Sequence, residues 1–258
     1  MIFFTGCSFT FCEGLYYYKW LEEGTLGYKM EIYDVGNPKH DNERCWSDDQ
    51  LIMSDDDYSW LDLNGWAGMV SKDLNTPFFK DRRNGGSNPQ ILENLSTLYP
   101  HIPKPKLIVI QWTDWTRGEL LEQYVKKSQN VEKDIVNHDW EFFESSIESL
   151  DIPFIFVDWR GIYYKYSPSK WKNNFISYKD NYNVIAELMK EGHTLTQDET
   201  LGLLKNEHLS MSGCKILSDI VVEKIKGMNI DLDDGFSLYS IDKPCPNWHP
   251  LKGYAFDE

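Results

Sequence analysis

Ser8 is the residue of this sequence best placed to do chemistry. It stands in Thr5-Gly6-Cys7-Ser8-Phe9-Thr10, directly after the apolar run Ile2-Phe3-Phe4. An apolar strand that stops at a glycine and runs straight into a helix puts its turn at the carboxyl edge of a sheet, where open α/β sheets bind ligands. A serine there is accessible, and the free backbone N–H groups that begin a helix can stabilise an anion. Access and a waiting donor are what a nucleophilic serine needs. The bland alternative is a strand-to-helix turn whose serine only caps the helix. Three further segments fall at strand ends or in loops facing the same edge: Gly85-Gly86-Ser87-Asn88, Trp112-Thr113-Asp114-Trp115-Thr116-Arg117, and His208 in Lys205-Asn206-Glu207-His208-Leu209-Ser210.

The elements that must position these residues follow from periodicity. Lys106–Gln111 and Phe154–Val157 are short apolar runs rich in β-branched and aromatic residues, the pattern of buried parallel strands. Pro77-Phe78-Phe79 is a candidate short strand. Helical patterns cover Leu15–Glu23, Gly65–Leu74, a stretch capped by Ser87 or Asn88 and running to about Leu98, Val131–Leu150, Tyr182–Lys190 and Ser212–Lys226. In Val131–Leu150 the expected buried face holds Ile135, Trp140, Phe143, Ile147 and Leu150. In Ser212–Lys226 it holds Ile216, Ile220, Val221 and Ile225. Thr25–Asn64 is irregular and polar, with a candidate strand at Tyr28–Tyr33, and reads as an insertion over the sheet edge near Ser8. Strands alternating with helices predict a three-layer α/β/α sandwich with a mostly parallel, flavodoxin-like sheet over residues 1–227. The acidic, aromatic segment 228–258 is expected to pack back on that domain.

Composition narrows the partners. The chain has 258 residues, 41% of them hydrophobic, with 10 Trp, 15 Tyr and 13 Phe, a globular composition. Its net charge of −15 repels nucleic acid and anionic membranes, so neither is expected as a partner. The five cysteines (Cys7, Cys12, Cys45, Cys214, Cys245) are odd in number and contain no CxxC pair, against a disulfide framework or a zinc site. Reduced thiols, no basic leader and no apolar run of membrane-spanning length predict a cytoplasmic protein. No Walker or dinucleotide fingerprint supports a phosphate-cradle reading of the glycine-rich turns.

The order and spacing of the four segments resemble the SGNH (GDSL-type) hydrolase family over most of the chain, and short acidic members with a GCSFT first block look bacteriophage-encoded. The family has a serine block after the first strand, an oxyanion glycine, an oxyanion asparagine and a late Asp/His block. Gly6-Cys7-Ser8-Phe9-Thr10 matches the first, with Cys7 where Asp is usual, and Gly86 the second. Thr113-Asp114 falls at the third, with Thr113 in place of Asn, and His208 followed by Leu209-Ser210-Met211-Ser212-Gly213 matches the last. The resemblance implies a serine esterase with Ser8 as nucleophile, His208 as base, and Ser8, Gly86 and Thr113 around the oxyanion. No metal or other cofactor is implied. The substrate would be a small ester, with an acylated carbohydrate suited to the many aromatics. The family's acid is missing, because Lys205 and Asn206 occupy its positions. Asn206, Asp198 and Glu199 are the candidates to orient His208. Cys7 is expected to point to the core, and His249, with no apolar helix after it, is set aside. The rival implication is a catalytically degenerate binding or structural module of the same fold, such as a virion component.

Overall fold

A computed structural model describes residues 1–12, 15–26, 55–81, 87–117, 120–125, 128–198, 201 and 207–239. Strands β1 (Ile2–Thr5), β2 (Phe78–Lys80), β3 (Leu107–Trp112) and β4 (Phe154–Asp158) form one sheet in the order β2-β1-β3-β4. Every pairing is parallel, with Phe4 opposite Val109 and Ile110 opposite Phe156. Every strand residue is buried. That is why these strands read as unbroken apolar runs rather than as alternating ones.

Side-chain alternation identifies the layers. On one face Phe4 meets Trp66, and Lys80 makes a buried ion pair of 2.7 Å with Asp62. These partners belong to helices α3 (Asp55–Asn64) and α4 (Trp66–Asp73), which come after α1 (Ser8–Phe11) and α2 (Tyr16–Glu22) in the chain. On the other face Thr5 donates to Asp81, which also accepts from Asn94 of α5 (Asn88–Leu98). Helices α6 (Leu120–Val125) and α7 (Val131–Ser146) follow. On this second face Trp112, Phe154 and Phe156 pack on Phe143 of α7. After β4 come α8 (Ile162–Tyr166), α9 (Val184–Lys190) and α10 (Met211–Gly227). Helix α10 packs on α4, and α8 on α7. The protein is therefore an α/β sandwich around an all-parallel sheet.

Two helices differ from their sequence patterns. Val131–Leu150 is α7 followed by a 3-10 turn, Glu148–Leu150, because the last turn tightens before Asp151 adopts a left-handed backbone, φ 50°. In α10 the buried stripe is Cys214, Leu217, Val221 and Ile225, while Ile216 and Ile220 sit half-buried at its margin. The helix is rotated toward α4, a preference that its own apolar residues do not encode. After α10, Asp233 pairs with the Met1 amino group and with Lys106 at the amino ends of β1 and β3, and residues 237–239 then run along the outer edge of β2, where Phe78 N–H donates to Ser237 O at 2.9 Å and Tyr239 N–H to Phe78 O at 2.7 Å. Of the stretch expected as an irregular insertion at 25–64, residues 27–54, including Tyr28–Tyr33, lie outside the described residues, as do 240–258, while 55–64 is instead the helix α3, which buries Tyr58 and Leu61 in the core. No helix among the described residues is long and apolar enough to cross a membrane.

The chain leaves β1 for β2 on one side and returns to β3 and β4 on the other. The sheet therefore has its topological switch point between β1 and β3, the position at whose carboxyl side open α/β sheets bind ligands.

Candidate functional site

The turn after β1 is built to close tolerances. A Cβ on Gly6 would lie 2.1 Å from Thr10 Oγ1 and 2.8 Å from Gln111 Cβ, so only glycine lets the chain turn here. Gln111, in β3, holds the turn from the neighbouring strand. Its Oε1 accepts from Cys7 N–H at 3.4 Å, from Cys7 Sγ at 3.2 Å and from Thr10 Oγ1 at 3.1 Å, while its Nε2 donates to Trp112 O at 2.9 Å. Trp66 Nε1 donates to Phe9 O at 3.0 Å. Ser8 is the first residue of α1, between these anchored neighbours. Cys7 is fully buried toward Gln111, away from solvent, as the alternation of a strand end requires.

His208 is brought to the same place by backbone pairing. Thr194 and Leu209 form an antiparallel bridge, Leu195 N–H donates to His208 O at 2.9 Å, and Ser210 N–H donates to His193 O at 3.0 Å. Ser210 then caps α10, its Oγ accepting from Gly213 N–H at 3.3 Å. The imidazole packs against Phe9, the residue after Ser8, with ring centroids 4.8 Å apart. Asp198 lies near this segment. Its carboxylate accepts from Tyr18 OH, and Tyr18 OH accepts from Met211 N–H at 3.3 Å, three residues past His208. Burial first, and then Asp198, hold the Tyr18 phenol protonated as a donor by raising its pKa.

Thr113 is reached from α5. Its N–H donates to Asn88 Oδ1 at 2.8 Å, and Asn88 Nδ2 donates to Thr113 O at 3.3 Å. Asn88 Nδ2 also contacts Tyr163 OH, which donates to Asp139 Oδ2 at 2.6 Å. A chain of buried polar groups thus runs from α7 through the core to the loop after β3. Burial, with the Asp139 carboxylate, pushes the Tyr163 phenol well above its ordinary pKa and keeps its proton in place. The Thr113 hydroxyl itself is enclosed and has no hydrogen-bond partner among the described residues. Gly86, Asn206 and Glu199 lie outside the described residues.

The rim beyond β3 and β4 is aromatic and cationic. Trp159 packs edge-on to Phe9, centroids 4.8 Å apart. Arg160 Nε lies 2.9 Å from Asp114 Oδ2, and Asp114 Oδ1 accepts from Thr116 N–H at 3.0 Å. Asp158, at the end of β4, accepts from Arg160 N–H at 3.2 Å and Tyr164 N–H at 2.9 Å, and so caps α8. Its burial raises its pKa to about 7, against the pull of those N–H groups. Among the described residues no cluster of His, Cys, Asp and Glu is suited to hold a metal ion.

The structure therefore gathers Phe9, His208 and Trp159 at one edge, with Thr113 in the loop after β3 and Asp198 beside the His208 segment. Sequence reasoning missed Gln111, and it read Asn88 as a cap. Gln111 was detectable as the one amide in Leu107-Ile108-Val109-Ile110-Gln111-Trp112, since a buried amide must find partners. Together the fold and site define an all-parallel α/β protein with a candidate site at its topological switch point. Compared with known proteins, the chain matches no family model, no curated protein and no solved structure.

Proposed function

We propose that the protein is a serine acyl hydrolase of SGNH type, acting on a carboxylic ester with Ser8 as nucleophile and His208 as base. The reading is carried by one observation: the His208 imidazole packs on the residue that follows Ser8, beyond the switch point of the sheet. Two segments some two hundred residues apart in the chain thus meet at one edge, the His208 ring on the residue next to Ser8.

In the first half-reaction the Ser8 hydroxyl adds to the ester carbonyl and His208 takes its proton. The carbon–oxygen bond to the alcohol then breaks, and His208 gives the proton to the departing alcohol. In the second half, water adds to the acyl-serine and passes a proton through His208 back to Ser8, and the carboxylic acid leaves. The oxyanion is assigned to the backbone N–H groups of Ser8 and Gly86 and the Thr113 hydroxyl. Asp198, Glu199 or Asn206 is assigned to orient the imidazole. An acylated carbohydrate suits the aromatic rim, and a cytoplasmic setting suits the free thiols of Cys7, Cys12 and Cys214.

A second reading draws on a different observation. The Thr113 hydroxyl is enclosed, which favours a binding or structural module, such as a virion component, that keeps the fold without turnover. A fluorophosphonate probe separates the two, because it needs an activated serine but not the right substrate. Labelling at Ser8 that is lost in Ser8→Ala and in His208→Ala is the expected result. Folded protein that stays unlabelled from mildly acidic to alkaline pH overturns the hydrolase.

A further inference from the structure

The rim of the site holds a cation that the composition does not foreshadow. The chain has 26 Lys and Arg against 41 Asp and Glu. Two guanidiniums nevertheless meet one indole at the carboxyl edge, Arg117 Cζ at 5.1 Å and Arg160 Cζ at 5.5 Å from the Trp159 ring centroid. Their charges are matched differently. Arg160 is paired with Asp114, which also receives Thr116. Arg117 makes no ion pair among the described residues and is half-buried. Only two ring contacts, Trp159 to Phe9 and Phe9 to His208, separate it from the imidazole.

A guanidinium lying over an indole engages its flat face, and its N–H donors remain directed outward in its plane. Those donors match a carboxylate two at a time. One unmatched positive charge balances one negative charge. A phosphate dianion would leave an excess in a protein that is already strongly acidic. We infer that Arg117, held on Trp159, is an anion subsite beside the Ser8–His208 centre, and that the substrate is an ester carrying a carboxylate. This rests on the acyl-hydrolase reading for the reaction, while the anion site itself can be read without it.

The test compares p-nitrophenyl hemiglutarate with the uncharged p-nitrophenyl valerate, which has the same chain length. The expected kcat/KM ratio favours the anionic ester by about tenfold, mainly through KM, in the range of one charge-assisted contact. The ratio falls to about one in Arg117→Gln, recovers in part in Arg117→Lys, and shrinks with added salt. A ratio of one or less in the native protein, the outcome its negative charge alone would produce, overturns the subsite. So does a ratio that survives Arg117→Gln. If Ser8 is not labelled by a fluorophosphonate and neither ester is hydrolysed, the hydrolase reading has failed, and glutarate itself is then the probe. A saturable shift of the Trp159 indole N–H resonance, assigned through Trp159→Phe and absent in Arg117→Gln, supports the subsite. No shift overturns it.

Discussion

The side-chain oxygen of Gln111 lies 3.4 Å from the backbone nitrogen of Cys7, one residue before Ser8, and 3.1 Å from Thr10 Oγ1, two residues after it. One buried amide on β3 thus brackets the candidate nucleophile on the neighbouring strand's turn. The shape of the site follows from a contact between strands and not from the turn alone.

Gln111→Leu keeps the volume of the side chain and removes its acceptor. The Cys7 N–H and Thr10 hydroxyl are then buried without a partner, at about 1–3 kcal/mol for each such group. Urea denaturation is expected to show a loss of about 3 kcal/mol, and fluorophosphonate labelling at Ser8 is expected to slow more than tenfold in protein that remains folded. A loss below about 1 kcal/mol means that the turn holds itself.

Tyr163→Phe tests the polar chain behind Thr113. The ring stacks on Trp112 with centroids 4.7 Å apart and planes within 2°, a contact that phenylalanine retains. What is lost is the hydroxyl between Asp139 and Asn88. The expected cost is about 2–3 kcal/mol, because a buried carboxylate oxygen and an amide both lose a partner. Hydrogen exchange at the Thr113 amide, held now by Asn88, is expected to accelerate beyond the change at core amides of β1. Equal acceleration everywhere would mean a global loss of stability and no special coupling to the loop.

Asp158 makes stability depend on pH in a direction opposite to that of a salt-bridged carboxylate. Burial raises its folded pKa from the ordinary value near 3.8 to about 7. Below the lower value both states hold the proton and the group contributes no slope. Between the two values the unfolded chain has released its proton and the native chain has not, so stability falls as pH rises. Above about 7 both are ionised and the loss levels off, at roughly 4 kcal/mol in the full linkage. Urea midpoints between pH 4 and 8 are expected to carry this slope in the native protein and to lack it in Asp158→Asn. The slope is the readout, since the amide of the variant also places a donor against backbone N–H groups. An identical slope in both proteins refutes the assignment.

Much of this protein is legible in its sequence because local chemistry decides it. Leu107-Ile108-Val109-Ile110 reads as a buried strand wherever it is found, since only a strand covered on both faces is apolar at every position. Gly6 before Ser8 marks a turn that no side chain can enter, and Ser210 before Met211 marks the start of a helix. From these local signals the alternation of strands and helices follows, and with it the α/β layering. The rotation of α10 was not legible, because both Ile216 and Leu217 are apolar and only the packing against α4 chooses between them. Gln111 looks like a strand-end amide until β1 lies beside it, and Asn88 looks like a helix cap until Thr113 lies opposite. The approach of His208 to Phe9 depends on the bridge between Thr194 and Leu209 and on the placement of α10. These are contacts between residues far apart in the chain. Their energies depend on distance in space, which a sequence pattern reports only within one element, so tertiary structure alone decides them.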